Sequence, residues 1–320
     1  MHGDIVLSNI IATQKIHEKY GGVVPELASR AHQSNIAPVV GQAMHEAGIA
    51  RQDLEAIAFT QGPGLMGSLL VGASFAKSMS LALNIPLIAV HHMQAHVLAH
   101  FISSSEKKTM PSFPLLCLTV SGGHTQIVLV KSPSDMKVIG ETIDDAAGEA
   151  FDKAAKVLGL KYPGGPLIDK NAQDGEPEKY HFTAPRLSGL QYSFSGLKTS
   201  LLYFLRAEIA KDKSFIEREL NNICASYQRT LVDYLLLNFS RAAEQYDVKD
   251  LCLAGGVSAN SELRRKFLLM SEKQGRNAFI PPFEYCTDNA AMIGITGYFK
   301  YLESDFADLS SIPKPAWKIG

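Results

Sequence analysis

Residues 115–130 read LLCLTVSGGHTQIVLV. Two short apolar runs, Leu115–Val120 and Gln126–Val130, flank the glycine turn SGGHT, which predicts a hairpin of two buried strands. A further buried strand is expected downstream at Asp250–Leu253, with a helix over Asn260–Gln274 after a second glycine turn. A short strand at Asn277–Ile280 and a long last helix near Asn289–Glu303 follow, and the region from Gly148 to Tyr246 reads as mostly helical. Upstream, the polar stretch Ser103–Pro111 (SSSEKKTMP) marks a domain boundary. Before it, strands at Asp4–Thr13, Leu54–Thr60 and Pro86–His91 alternate with helices over Pro25–Gly48, Gly67–Asn84 and Met93–Phe101. The first of these helices has Pro at its start and Gly at its end, and the second reads as mostly buried. Strands alternating with helices in two sheets argue for two α/β lobes, with a ligand expected in the cleft between them. The domains expected are an N-terminal lobe over 1–104, a C-terminal lobe over 105–288 with a helical insertion at 148–246, and a C-terminal helical segment, 289–320, packed on the first lobe.

The chain has 320 residues, enough for about two domains. Lys plus Arg number 31 and Asp plus Glu 32, a net charge of -1 that argues against a stand-alone cationic nucleic-acid binder. The most apolar stretch, Leu65–Ala76, is broken by Gly67, Ser68, Gly72 and Ser74, so no membrane span is expected. The N-terminus lacks a basic region, so no secretory signal is expected. The four cysteines are scattered without a CxxC pair, as in a reducing cytoplasmic setting.

Three groups of residues could carry chemistry. The first is His91-His92-Met93-Gln94-Ala95-His96. His92 and His96 are four apart, so on a helix both imidazoles lie on one face, which suits two ligands of one metal. Surface or capping histidines share this spacing, but a strand end is where active sites collect. A metalloprotease needs Glu directly after the first His as general base, and Met93 stands there. Two histidines leave a divalent ion short of ligands. Asp288, in Cys286-Thr287-Asp288-Asn289, is the best oxygen donor, although a helix-capping acid looks the same in sequence.

The second group is two glycine loops, Val120-Ser121-Gly122-Gly123-His124-Thr125 and Ala254-Gly255-Gly256-Val257-Ser258-Ala259-Asn260. Glycine lets backbone N–H groups approach phosphate oxygens, and two such loops on strands of one lobe favour a nucleotide site over plain turns. Neither loop fits GK[ST] or GxGxxG. The third group is Asp152 with the turn Gly164-Gly165, where an acid accepting from ribose hydroxyls and an ordinary helix acid are equally compatible. The loop Thr60-Gln61-Gly62-Pro63-Gly64-Leu65-Met66-Gly67 could serve a partner or simply pack the next helix.

Taken together, HHMQAH, SGGHT, DDAAGEAFDKAAKVLGLKYPGGP, AGGVSAN, CTDNAAMIG, KIHEKYGGVVPELASRAH and QGPGLMGSLLVG resemble the bacterial tRNA threonylcarbamoyladenosine synthase family, formerly called O-sialoglycoprotein endopeptidases. The likeness runs through nearly the whole chain. It implies the two-lobed actin/Hsp70/sugar-kinase (ASKHA) fold. It implies transfer of a threonylcarbamoyl group from threonylcarbamoyl-AMP to N6 of the tRNA adenosine just 3′ of the anticodon. By resemblance, His92, His96 and Asp288 bind one divalent metal per subunit, iron or zinc. Thr119, Val120, Ser121, Gly122, Gly123, Asp152, Gly165, Asp169 and Asn260 match the nucleotide-substrate residues. No residue stands out as a general base. The implied partners are tRNA, a smaller paralogous subunit and an ATPase subunit, in the cytoplasm and without a membrane. A phosphotransferase of the same fold, or a catalytically impaired partner subunit, is the alternative. Compared with the family, a first strand and phosphate-facing loop are expected upstream of Asp4–Thr13.

Overall fold

The computed structural model describes residues 1–14, 20, 22–103, 109–185 and 187–319. The proposed boundary at 104/105, the Lys107-Lys108 pair and part of the KIHEKYGG motif lie outside the described residues. In chain order the elements are α1 (Pro25–Ala47), β1 (Ile57–Gly62), α2 (Met66–Leu83), β2 (Leu87–His91), α3 (His92–Leu98), β3 (Leu115–Val120), β4 (Thr125–Val130), β5 (Met136–Glu141), α4 (Ala147–Val157), α5 (Gly164–Ala172), α6 (Ser195–Ile209), α7 (Phe215–Tyr246), β6 (Asp250–Ala254), α8 (Ser261–Lys273), β7 (Asn277–Phe279), α9 (Phe283–Cys286) and α10 (Ala290–Leu302). They form two compact units: Met1–Pro111 with Lys131–Lys137 and Pro281–Gly320, and Ser112–Val130 with Val138–Ile280.

In the second unit the sheet order is β5-β4-β3-β6-β7. β3 runs antiparallel to β4 and parallel to β6, and β7 runs parallel to β6. Every residue of β3 and β6 is buried, and all but Thr119 and Asp250 are apolar, as suits central strands covered on both faces. Phe151 of α4 meets Tyr227 of α7 edge-on, 6.2 Å between centroids, deep in this core. Both expected hairpin strands form, and Thr119 pairs with Gln126 in the ladder. β5 was not anticipated: its mixed MKVIGE pattern suits the sheet edge, where one side needs no apolar cover.

In the first unit, β1 and β2 form a parallel two-stranded sheet, with α10 and α2 packed near it. α1 ends where expected, with Gly48 left-handed at φ 65 and its N–H returned to His45. Two expectations fail here. Asp4–Thr13 is not a strand: Ile5 makes single bridges to His2 and Ser103, no ladder continues, and Ile5, Leu7 and Ile11 are exposed. Without a neighbouring strand its backbone has no partner to extend against. α2 is not mostly buried, since only Leu69, Ala73, Ala76 and Ser80 are, while Leu70 and Leu81 face outward. By length and composition alone α2 is apolar enough to cross a membrane, because Gly and Ser interrupt the run only lightly and Lys77 is its single charge, a property that core helices share. Its inner side packs on β1, as a core helix does.

Candidate metal centre and glycine-loop site

β2 delivers the chain into α3 without a loop: His91 ends the strand, caps the helix by accepting the Met93 N–H at Nδ1, 3.1 Å, and His92 is the first helical residue. Helical spacing then brings His92 and His96 together edge to face, ring centroids 4.8 Å apart. Asp288 precedes Asn289, the true N-cap of α10, whose Oδ1 accepts from Met292 at 2.9 Å. The cap is therefore Asn289, and Asp288 is left to point at the histidines. Its Oδ1 lies 3.3 Å from His92 Nε2 and 3.2 Å from His96 Nε2.

His96 is 2% exposed and His92 20%, while Asp288 is 77% exposed by area yet crowded by protein atoms on its inner side. That crowding works against the Asp288 charge, but the hydrogen bonds from both histidines outweigh it and hold the carboxyl far below the usual range. Burial pushes His96 down, against the opposing pull of Asp288, so its ring is neutral at pH 7 and able to offer a lone pair. The donor atoms of all three residues lie within 4.8 Å of one another. Two imidazoles and one carboxylate, open on the Asp288 side, fit a divalent first-row ion with ligand positions to spare.

The nucleotide-site residues expected from sequence fall on one edge of the second unit. β3 and β6 are parallel, so their glycine loops leave the same end of the sheet. Gly255 has φ +87, and a Cβ there would lie 2.4 Å from Val120 O, so only glycine lets the two loops touch. Thr119 and Val120 are fully buried at the strand end. Ser121 N donates to His124 O at 2.8 Å, and Ser121 Oγ accepts the His124 N–H at 3.0 Å, closing the turn. The Ser121 carbonyl accepts from Gly148 N at the start of α4. Gly122 and Gly123 are exposed, with open space where side chains would stand.

Asp152 of α4 accepts from the N–H groups of Gly164 (2.7 Å) and Gly165 (3.3 Å) at the start of α5. Burial raises its carboxyl above the ordinary range, against these two bonds. Asp169 of α5 accepts from Ser261 N at 3.0 Å and Ser261 Oγ at 2.7 Å. Asn260 caps α8 through Leu263 N and donates to Gln228 Oε1 at 2.8 Å. The expected residues are thus linked: hairpin turn to α4, α4 to α5, α5 to α8, and the loop before α8 back to β3.

Sequence reading expected a helical segment over 289–320 packed on the first lobe, but the helix ends at Leu302 and the loop that receives the residues beyond it was not foreseen. Gln61 Nε2 donates to Ile312 O (2.9 Å), Lys314 N donates to Gln61 O (2.8 Å), and Gly64 N donates to Pro315 O (3.2 Å). A Cβ on Gly62 would lie 1.9 Å from Lys314 O. The loop Thr60–Gly67 thus seats residues 312–317, and Trp317 packs on His91 at 4.7 Å between ring centroids. The one available signal was that Trp317 is the only tryptophan.

A sequence profile of the tRNA N6-adenosine threonylcarbamoyltransferases matches residues 5–295. The chain belongs to this family. A threonylcarbamoyltransferase of Christiangramia forsetii is 58% identical over 98% of this chain and 92% of its own length. One from Porphyromonas gingivalis is 56% identical with the same coverage, and one from Thermosipho africanus 47% identical over 98% of this chain and 93% of its own. Among solved structures, T. kodakarensis HypF superposes with a TM-score of 0.59 at 13% identity, over 86% of this chain and 45% of HypF. Full-length HypF in a phosphate- and nucleotide-bound form gives 0.57 at 12% identity, over 82% of this chain and 41% of that one. This likeness concerns the fold, an α/β architecture of the ASKHA type.

Proposed function

We propose that the chain transfers a threonylcarbamoyl group from threonylcarbamoyl-AMP to N6 of the tRNA adenosine just 3′ of the anticodon. Family membership over residues 5–295 carries this reading. The N6 amine attacks the carbamoyl carbon, the bond from that carbon to the phosphate oxygen breaks, AMP leaves, and the amine's extra proton passes to solvent. An aryl amine is a weak base, so holding it against the carbonyl matters more than a strong general base, and no residue is assigned that role.

The glycine loops suit the adenylate. Gly122 and Gly123 face open space with no side chains in the way, so their N–H groups can approach phosphate oxygens. Val120 and Thr119 fix the strand end beneath them. Asp152, Gly165, Asp169 and Asn260 are proposed to hold the ribose and base, Asp152 and Asp169 as acceptors for hydroxyls. His92, His96 and Asp288 are proposed to bind one iron or zinc ion, which when bound supplies Lewis-acid charge for carbonyl or phosphate oxygens. The Nε2 atoms of both histidines face the Asp288 carboxylate, so the donor set is arranged in the folded chain.

Cytoplasmic work with a smaller paralogous subunit and an ATPase subunit completes the proposal. Its physical support is the first unit's thin cover: Met66, Leu70 and Leu81 of α2 are exposed, and a partner over them would remove apolar area from water. The basic run Arg264-Arg265-Lys266 is no free RNA patch, because Arg265 pairs with Glu262 and Lys266 with Asp233. The test supplies synthetic threonylcarbamoyl-AMP, unmodified tRNA and the partner proteins. Modified adenosine should form with the native chain; its absence with every component folded and present would refute the reading.

A further inference from the structure

Beside the metal centre, and within the first unit, is a pocket of about 640 Å³ lined by His91, Gln94, Asp135, Lys137, Trp317 and Lys318. That volume falls in the ~300–1,000 Å³ range of sites that hold a small organic ligand. The transfer reaction described above assigns none of these residues a role. Three features of the pocket point the same way. Trp317 is half-buried, braced on one side by the buried His91 ring at 4.7 Å, so its indole is held rather than free to turn. Lys314 Nζ lies 4.6 Å from the Trp317 ring centroid, and Lys137 and Lys318 are exposed at the pocket's rim. Gln94 and Asp135 add an amide and a carboxylate that can accept from, and in the case of Gln94 donate to, the edge of a heterocycle. A fixed aromatic plane, lysines around it and amide-type edge partners form the combination by which proteins hold an unstacked base and its phosphate.

We propose that this pocket takes one splayed-out nucleotide of the RNA substrate, its base stacked on Trp317 and its phosphate met by Lys137 and Lys318. This rests on the tRNA substrate of the function proposed above and names a contact within it. The seat is built by the fold: the Gln61–Gly64 loop fixes residues 312–315, and these fix Trp317. Asp135 is the one acid in the lining; exposed as it is, it disfavours a bare phosphate beside it and favours a base with an amino group there.

Because Trp317 is the only tryptophan, its emission reports this site alone. The full-length, metal-loaded chain is titrated with an unmodified anticodon stem–loop RNA while tryptophan emission is followed, and binding is measured in parallel by anisotropy of labelled RNA. Saturable quenching that tracks the anisotropy is expected. Trp317→Ala should weaken RNA binding about 5- to 150-fold. Lys318→Glu, on the exposed rim, should also weaken it, and Lys318→Ala should lower the slope of log affinity against log salt by about 0.7. RNA binding with unchanged emission would overturn the proposal. So would native affinity in both Trp317→Ala and Lys318→Glu, or quenching by AMP alone as tight as that by the stem–loop, which would make this a mononucleotide site. If the native chain modifies tRNA while these readouts fail, the pocket assignment falls and the transferase reading stands.

Discussion

In the second unit, all of β3 and β6 is buried and the glycine-loop residues are tied together by hydrogen bonds and by the close approach of Gly255 to Val120. In the first unit, α1 buries only Ala28 of its 23 residues, and α2 buries four of 18. The metal ligands there are gathered by two short helical starts, α3 and the residues before α10. The difference separates two ways of making a site. One is rigid because a sheet core supports it; the other depends on a few side chains whose charges and lone pairs face each other, which is the arrangement an ion completes.

The comparison predicts unequal costs of truncation. Phe151→Ala, in the second unit's core, should lower stability by about 3–5 kcal/mol, whereas Leu70→Ala on the exposed side of α2 should change it by less than about 0.5 kcal/mol in the isolated chain. Denaturant unfolding of both variants checks this; similar losses would erase the contrast. Gly255→Ala should cost about 1–3 kcal/mol, because a left-handed residue would carry a Cβ 2.4 Å from Val120 O. Its adenylate affinity should fall with it, measured by titration with a non-hydrolysable adenylate.

Much of this was legible locally. The β3–β4 hairpin, β6 and α8 follow from short apolar runs ended by glycine, and the His92/His96 pair follows from helical spacing at a strand end. Other features depend on distant partners. The segment Asp4–Thr13 has strand-like composition but no ladder to join. β5 hides in a mixed edge pattern. α2 looks buried because sequence cannot say which apolar face is covered. The seating of residues 312–317 rests on Gln61, some 250 positions away in the chain. Asp288 looked like a cap until Asn289 was seen to do that work.

The metal side yields a pH prediction. His96 is held neutral, its pKa below the ordinary His value, so the unfolded chain binds more protons as pH falls through about 6.5. The stability it contributes is present above that pH and is lost below it. Asp288, with a depressed pKa, makes its full contribution above the ordinary carboxylate range and loses it progressively as pH falls through that range and below it. Metal retention should therefore hold at neutral pH and decline below about pH 6, read by metal analysis after gel filtration at stepped pH. A smaller effect is expected on proteolysis: with Met93 in the general-base position, incubation with glycoproteins should show no cleavage above that of a His92→Ala control.

Metal stoichiometry and threonylcarbamoyl transfer, measured together on native, His96→Ala and Asp288→Ala proteins of matched circular dichroism, test the central claim most directly. One divalent ion per native chain is expected, with both variants losing the ion and more than ~100-fold of transfer, since even supporting residues of metal sites cost 10–100-fold. A folded variant that lacks the ion and still modifies tRNA at the native rate would contradict the account.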